Sequence, residues 1–380
     1  WIYWHGHNSS PLGLADMATT LIFVAVTISL LLTAHTYLNQ FRLIRPHPKL
    51  ISHRVAILIP ARNEELAIES AVLSALGQQS LESFVVVVLD DDSSDTTLAK
   101  ITAITDQRLQ VISGAADLPS NWLGKNWACH RLAQSAPADY FVFVDSDVVL
   151  EPFAVASAIL AMNEHSLDLV SPYPKQLTSS LLAKLVQPLL QWSWLTTVPL
   201  GITKRTSRGS LAVANGQFLV CKSQAYVASG GHEAIKDQVL DDIELLRAFY
   251  KKGFKGCVID GSALATCQMY RTDKQLIAGY SKSLWKAFGG ILGSLAINAF
   301  FIFVYVFPLY GFFSNHSGLA TLGLLAGILG RVISARVTRS RIFPEALLHP
   351  LSIIIFLWLN IVSWSRHLRG VNTWKARDLK

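Results

Sequence analysis

Two kinds of apolar run alternate with polar segments along this chain of 380 residues: long ones near the ends, short ones in the middle. The first long run, Leu14 to Leu38, covers about 25 residues, or about 37 Å as a helix, enough to cross a bilayer. It lacks a small-residue cleavage context and reads as an anchor. The chain begins with Trp1, so a residue or more is expected to precede it. A basic, proline-containing linker, RLIRPHPKL, follows the anchor. Four short apolar runs come next, VAILIP (55–60), FVVVVLD (84–90), LQVIS (109–113) and YFVFVD (140–145), and they read as buried parallel strands. Helical patterns lie between them at 64–77, 96–106 and 125–136. This alternation predicts an α/β domain with a mostly parallel sheet flanked by helices, binding its ligand at the carboxyl ends of the strands.

The stretch 177–203 is apolar but holds Pro188, Trp192 and Trp194, which suits an interfacial helix at headgroup level better than a span. Phe288–Phe313 and Leu319–Ile333 are further candidate spans, and Gly323 and Gly327 form a small-xxx-small packing pair on the second. Leu347–Trp364, interrupted by His349-Pro350, is either a third span or a re-entrant segment. Composition agrees with a membrane protein, since 51% of residues are hydrophobic and the mean hydropathy is +0.36. The net charge is +7, and much of the excess flanks the apolar runs (Arg42, Arg45 and Lys49; Arg331, Arg336, Arg339 and Arg341; Arg366, Arg369, Lys375 and Arg377). That placement fits anionic headgroups and the positive-inside bias, and not nucleic acid. The chain thus divides into an anchor and linker (1–50), a cytosol-facing domain (51–287) and membrane helices with a basic tail (288–380). A full crossing by 347–364 would put that basic tail on the wrong side. Four cysteines without a CxxC pair read as reduced, buried thiols, and eleven histidines without ligand spacing argue against zinc.

Acidic clusters follow three strand ends, at ARNEE (61–65), DDDSSD (90–95) and DSD (145–147). Asp145 and Asp147 share one face at period two, and their repulsion calls for a cation between them, Mg²⁺ or Mn²⁺ by preference for carboxylate oxygen. A turn capped by Asp147 is the competing reading. One residue, Ser94 or Asp95, is enough to cap the next helix, which leaves Asp90, Asp91 and Asp92 for nucleobase N–H or ribose hydroxyl groups. No P-loop or GxGxxG fingerprint is present in the central region, so the pattern points to a nucleotide sugar held through a cation. In LDDIELLRAFY (240–250), Leu245, Leu246 and Phe249 fall at helical spacing from Asp242, which places that acid on the inward face. It is either a general base or an N-cap group. Lys125, after Gly124, is either a diphosphate contact or an exposed lysine; Asn215, Gly216 and Gln217 either approach the substrates or form a turn. His232 reads as structural.

PARNEE, DDDSSD, GKNWA (124–128), DSD and LDDIELL (240–246) stand in the order found in family 2 inverting glycosyltransferases of GT-A fold, which residues 54–290 resemble. More narrowly, WLGKNWACHRLAQSA, NGQF and GYSKSLW look like the bacterial hopene-associated glycosyltransferases. The resemblance implies a bacterial inner-membrane enzyme that moves a sugar from a UDP-sugar to a lipid hydroxyl, a hopanoid by preference. It implies uridine contacts for Glu64 and Asp91 with Asp90 and Asp92 nearby, Asp147 on the metal, and Asp145 near the metal, ribose and diphosphate. Asp242 then falls at the general-base position. Asp241 stands where the family has Glu. Processive members carry Gln-x-x-Arg-Trp where this chain has Ser281-Lys282-Ser283-Leu284-Trp285, and only the tryptophan remains. Single-sugar transfer is therefore expected, with Lys282 on a phosphate and Trp285 on the acceptor or at the membrane interface. The rivals are a processive polysaccharide synthase, a glycosyltransferase acting on polyprenyl or carotenoid lipids, and a transporter or scaffold without chemistry.

Overall fold

The structure, a computed structural model, describes residues 11–114 and 118–370, with the backbone of 373–374 and 377–378. Residues 1–10 of the N-terminal segment and Lys375 of the basic tail lie outside the described residues. The amino-terminal half runs α1 (Pro11–Asn39), β1 (Ile51–Ala61), α2 (Ile68–Leu76), β2 (Leu81–Asp90), α3 (Thr97–Thr102), β3 (Leu109–Ser113), α4 (Gly124–Ser135), β4 (Tyr140–Val144), β5 (Val148–Leu150), α5 (Ala154–Glu164) and β6 (Leu169–Gln176). Three short helices follow, α6 (Leu181–Val186), α7 (Pro188–Thr197) and α8 (Leu200–Thr203), then β7 (Phe218–Lys222), α9 (Ser223–Ser229), α10 (Asp241–Lys251) and β8 (Gly256–Cys267). The chain closes with α11 (Asp273–Ala287), α12 (Ile291–Phe301), α13 (Ser317–Val337) and α14 (His349–Leu368).

The sheet has eight strands in the order β3-β2-β1-β4-β7-β6-β8-β5. Its first four strands are parallel, as their continuous Val/Ile/Leu runs predict. The second half is mixed, because β7 runs antiparallel to β4 and β6, and β5 antiparallel to β8. The sheet is thus less parallel than expected, and the difference positions the site. An antiparallel strand starts at the edge where its parallel neighbour ends, so Phe218 of β7 pairs with Val144 of β4 and residues 215–217 lie beside Asp145. By the same rule Cys267, the last residue of β8, pairs with Val148 next to Asp147. Helices cover both faces, with one apolar layer built on Ile57, Val88 and Ile159 and the other on Leu58, Leu89 and Phe249.

Residues 177–203 do not form one interfacial helix. Pro188 cannot donate its missing N–H, so it starts a new helix, α7, rather than continuing α6. The two tryptophans expected at headgroup level are buried instead: Trp192 packs on Phe301, Tyr305 and His349, and Trp194 on Tyr173. Pro350 likewise sits in the first turn of α14 and begins that helix instead of interrupting it. Four helical stretches among the described residues are long and apolar enough to cross a membrane: Met17–Asn39, Ile291–Phe312, Ser317–Val337 and His349–Leu368. The second is not uniform, since α12 widens to a π-turn at Ile302–Val306 and tightens to a 3₁₀ turn at Phe307–Phe312. Gly323 and Gly327 of α13 do serve packing: side chains at these positions would strike Val26 and His349.

Candidate functional site

The carboxyl ends of β1, β2 and β4 open onto one cavity of about 1380 Å³. Glu64, Asp91, Asp145, Asp147, Asp241 and Asp242 all line it, so the acids that the sequence scatters over 179 positions share one cleft. Lys125, Asn215, Gly216, Gln217 and Lys282 line it as well.

Lys125 is the cation at its centre. Gly124 starts α4, so the Lys125 side chain leaves from the first turn, and its Nζ reaches Asp145 at 2.8 Å and Asp241 at 3.1 Å. Burial opposes the lysine's charge, but the two carboxylates hold its pKa well above the usual value. Burial raises Asp145, against the pull of Lys125. Burial would raise Asp241 too, yet the charge and hydrogen bond of Lys125 bring it below the ordinary range. Asp147 has no such partner: burial, with the charges of Asp145 and Glu64, pushes it up to about 7, and its buried Oδ1 makes no hydrogen bond.

Asp242 occupies the first turn of α10, and Leu245, Leu246 and Phe249 behind it are buried. One of its oxygens accepts from the Ile243 N–H at 2.7 Å and the other from the Gly216 N–H at 3.0 Å. Burial and the adjacent Asp241 push its carboxyl up to about 7, despite those two hydrogen bonds.

Several expected residues stand elsewhere. Asp90 and Asp92 are not on the cavity. Asp90 is buried at the end of β2 and closes a turn by accepting the Ser93 N–H, while Asp92 is exposed with φ 59°. The reason is that β2 ends at Asp90 and the chain turns through a left-handed Asp92, so the three acids do not share one direction. Asp95, not Ser94, binds the first turn of α3, through the Thr97 N–H. Trp285 does not face the cavity: its ring stacks on His367 at 3.6 Å and donates its indole N–H to the Lys282 carbonyl, and its backbone N–H donates to Ser363. His232 is a core side chain bonded to Tyr226 and packed on Phe143, and burial holds it neutral by lowering its pKa to about 3. Arg62, whose guanidinium bonds the Asp91 carbonyl and lies 3.8 Å from its carboxylate, lines the cavity unforeseen, though it stands in the PARNEE motif. Tyr173, Gln176 and Tyr270 line it with no sequence signal of their own.

The far end of the cavity is apolar. Leu189 and Trp192 of α7, Ile297 and Phe301 of α12, and Ile353 and Phe356 of α14 form its walls. A charged site and a hydrocarbon-lined hollow are therefore one space.

Residues 56–178 match the family Glycosyl transferase family 2. The match runs from within β1 to just past the end of β6. It is similar to the 4,4'-diaponeurosporenoate glycosyltransferase of Staphylococcus haemolyticus, 26% identical over 70% of this chain and 68% of that one. The enzyme of the same name from Staphylococcus aureus (strain MRSA252) is 24% identical over 94% of this chain and 96% of its own. Among solved structures, the mannosyltransferase PcManGT from Pyrobaculum calidifontis, in complex with GDP-Man and Mn²⁺, covers 92% of this chain and 99% of its own with a TM-score of 0.53 and 15% identity. That likeness shows the fold, which is GT-A. The named relatives are not hopene-associated enzymes.

Removing the central cation leaves two acids facing each other. Lys125→Met is expected to destabilise the protein toward the low end of the about 3–5 kcal/mol typical for breaking a buried pair, since these side chains keep about a quarter of their exposure. Thermal unfolding in detergent measures this, and an unchanged midpoint would show that the pairing is not structural.

Proposed function

We propose that this protein is a membrane-bound inverting glycosyltransferase that moves one sugar from a UDP-sugar to a hydroxyl of a lipid acceptor. The observation that carries this reading is the single cavity joining the acids to the apolar walls of α7, α12 and α14. A water-soluble donor needs the first half and a lipid needs the second. The acceptor oxygen attacks the anomeric carbon as the bond from that carbon to the diphosphate oxygen breaks. Asp242 takes the hydroxyl proton, and a base poised near neutral pH suits that task. Its two backbone hydrogen bonds hold the carboxylate in place.

The residues fit a divalent cation. Asp147 offers a buried carboxylate oxygen with no protein partner, and Asp145 stands two residues away on the same cavity. Among the described residues no group of three or more acid, histidine or cysteine side chains could hold the ion unaided. Mg²⁺ or Mn²⁺, when bound, stabilises the charge that builds on the leaving diphosphate. Lys125 and Lys282 supply positive charge from this chain's side of the cavity.

For the acceptor, the relatives favour a carotenoid-type chain, since two of them are named for diaponeurosporenoate. The hopanoid suggested by sequence motifs is the second reading. Lipid mass spectrometry of cells with and without the gene separates them: a carotenoid or a hopanoid should gain the mass of one sugar. A ladder of sugars would instead favour a processive synthase, and no change in any lipid would count against transfer to lipid.

The rate should rise about tenfold per pH unit below about pH 7 and flatten above it, because Asp242 must lose its proton to act and its pKa is raised to that value. Asp242→Asn should lose transfer by at least 10²-fold while UDP binding persists. Near-native turnover in that variant sinks the base assignment.

We further infer that α14 does not cross the membrane and that its carboxyl end stays on the side of the sheet domain. Two sets of contacts support this. At its start His349 packs on Trp192 of α7, and in the segment before it Ser340 donates to Gln191 of α7, while α7 is tied to the domain-side end of α1 by Asn39. Near its end, Ser363 and His367 hold Trp285 of α11, one turn from Lys282. Both ends of this helix, about 30 Å long, therefore rest on helices that wall the cavity. The basic residues Arg366 and Arg369 then stay with the domain, as the positive-inside bias requires. Single-cysteine variants test this with an impermeant maleimide, because the four native thiols are buried. In intact cells Asn315→Cys should label, and Arg369→Cys and Lys252→Cys should not; labelling at 369 from outside would show that α14 crosses.

A further inference from the structure

Three glutamines that lie apart in sequence form a chain of buried side-chain amides. Gln187, at the corner between α6 and α7, donates from Nε2 to Gln176 Oε1 at 2.8 Å. Gln176, the last residue of β6, donates from Nε2 to Gln217 Oε1 at 2.7 Å. Asn215 Nδ2 adds a third donor at 3.3 Å, and Asn215 Oδ1 accepts the Gln217 N–H at 2.8 Å. All four side chains belong to buried residues, with 0% exposure at Gln187 and 7% at Gln176.

The last member of the chain sits in the loop that holds both ends of the chemistry. The carbonyl of Gln217 accepts the Asp145 N–H at 3.0 Å. The neighbouring Gly216 N–H donates to Asp242 at 3.0 Å. The first member sits at the base of α7, whose Leu189 and Trp192 wall the apolar half of the cavity. Hydrogen bonds in a buried, connected set are geometrically demanding, because the amide of Gln176 has its acceptor end fixed by Gln187 and its donor end by Gln217.

We propose that the Gln187–Gln176–Gln217 chain is a positioning device that ties the acceptor-side corner of α6 and α7 to the loop holding Asp145 and Asp242. None of the three need touch the reacting atoms. The device rests on the transferase reading only for what it positions. Its consequence is that a lipid seated against α7 bears on the geometry at the donor end.

The test uses the full chain in detergent with UDP and Mn²⁺ as the probe. Gln187→Met and Gln176→Met keep length and bulk but cannot continue the chain. Each should weaken UDP binding in the presence of Mn²⁺ about fivefold, the worth of one net hydrogen bond, and alter the electron paramagnetic spectrum of the bound Mn²⁺. The double variant should be no weaker than Gln176→Met alone, because Gln187 acts through Gln176. Effects that multiply, or variants with native affinity and spectrum, overturn the proposal. If Gln176→Met does not fold, Gln187→Met decides the matter by itself, since among the described residues its side chain bonds only Gln176. Failure of the wild-type chain to bind UDP with Mn²⁺ would instead strike the transferase reading.

Discussion

Carboxylates repel when they are gathered out of water, and the pairing of Lys125 with Asp145 and Asp241 is what lets this cavity hold so many. The rest of the site is arranged around that ammonium group. Gly216 lies against it: a Cβ there would stand 3.4 Å from Lys125 Nζ and 3.5 Å from the Asp242 Cβ. Those are ordinary van der Waals distances, so the loop passes in close contact with the lysine on one side and the aspartate on the other. Asp147, not directly paired with the lysine, is left with a buried oxygen that makes no hydrogen bond. Charge is thus balanced unevenly, fully at Asp241 and incompletely at Asp147, and the incomplete end is where a further cation is expected.

Sheet topology explains why these groups meet. Parallel strands deliver their carboxyl ends to one edge, which accounts for Glu64, Asp91 and Asp145. The antiparallel insertion of β7 delivers its amino end to the same edge, which accounts for residues 215–217. Helix α10 then adds Asp241 and Asp242 from its first turn. Loops on one edge of a rigid sheet thus meet at a cavity whose other wall is helical.

What could be read from the sequence follows the range of the interactions. The strands β1 to β4, helix α4, the inward Asp242 and the paired Asp145 and Asp147 carry local signals: apolar runs, a period of two and a helical stripe. Treating Asp90, Asp91 and Asp92 as one group failed because the strand ends at Asp90 and the backbone turns at Asp92, a turn that the apolar run before it does not announce. The pairing of β7 with β4 and the glutamine chain have no local signature, because they join segments up to 82 positions apart along the sequence, as Tyr140 and Lys222 show. Tryptophans in 177–203 misled for a related reason. An indole suits a headgroup layer and a protein interior equally, and what decides is the neighbouring helix, here the one carrying Phe301.

The apolar half of the cavity has an outcome for the way such a protein behaves in a bilayer. Walls of leucine, isoleucine, tryptophan and phenylalanine favour hydrocarbon over water. On the membrane reading, acyl chains of ordinary phospholipids are its resting occupants. A cognate lipid must therefore displace bulk lipid rather than solvent, and the meaningful concentration for its saturation is a mole fraction within the leaflet, not a molarity in the surrounding medium.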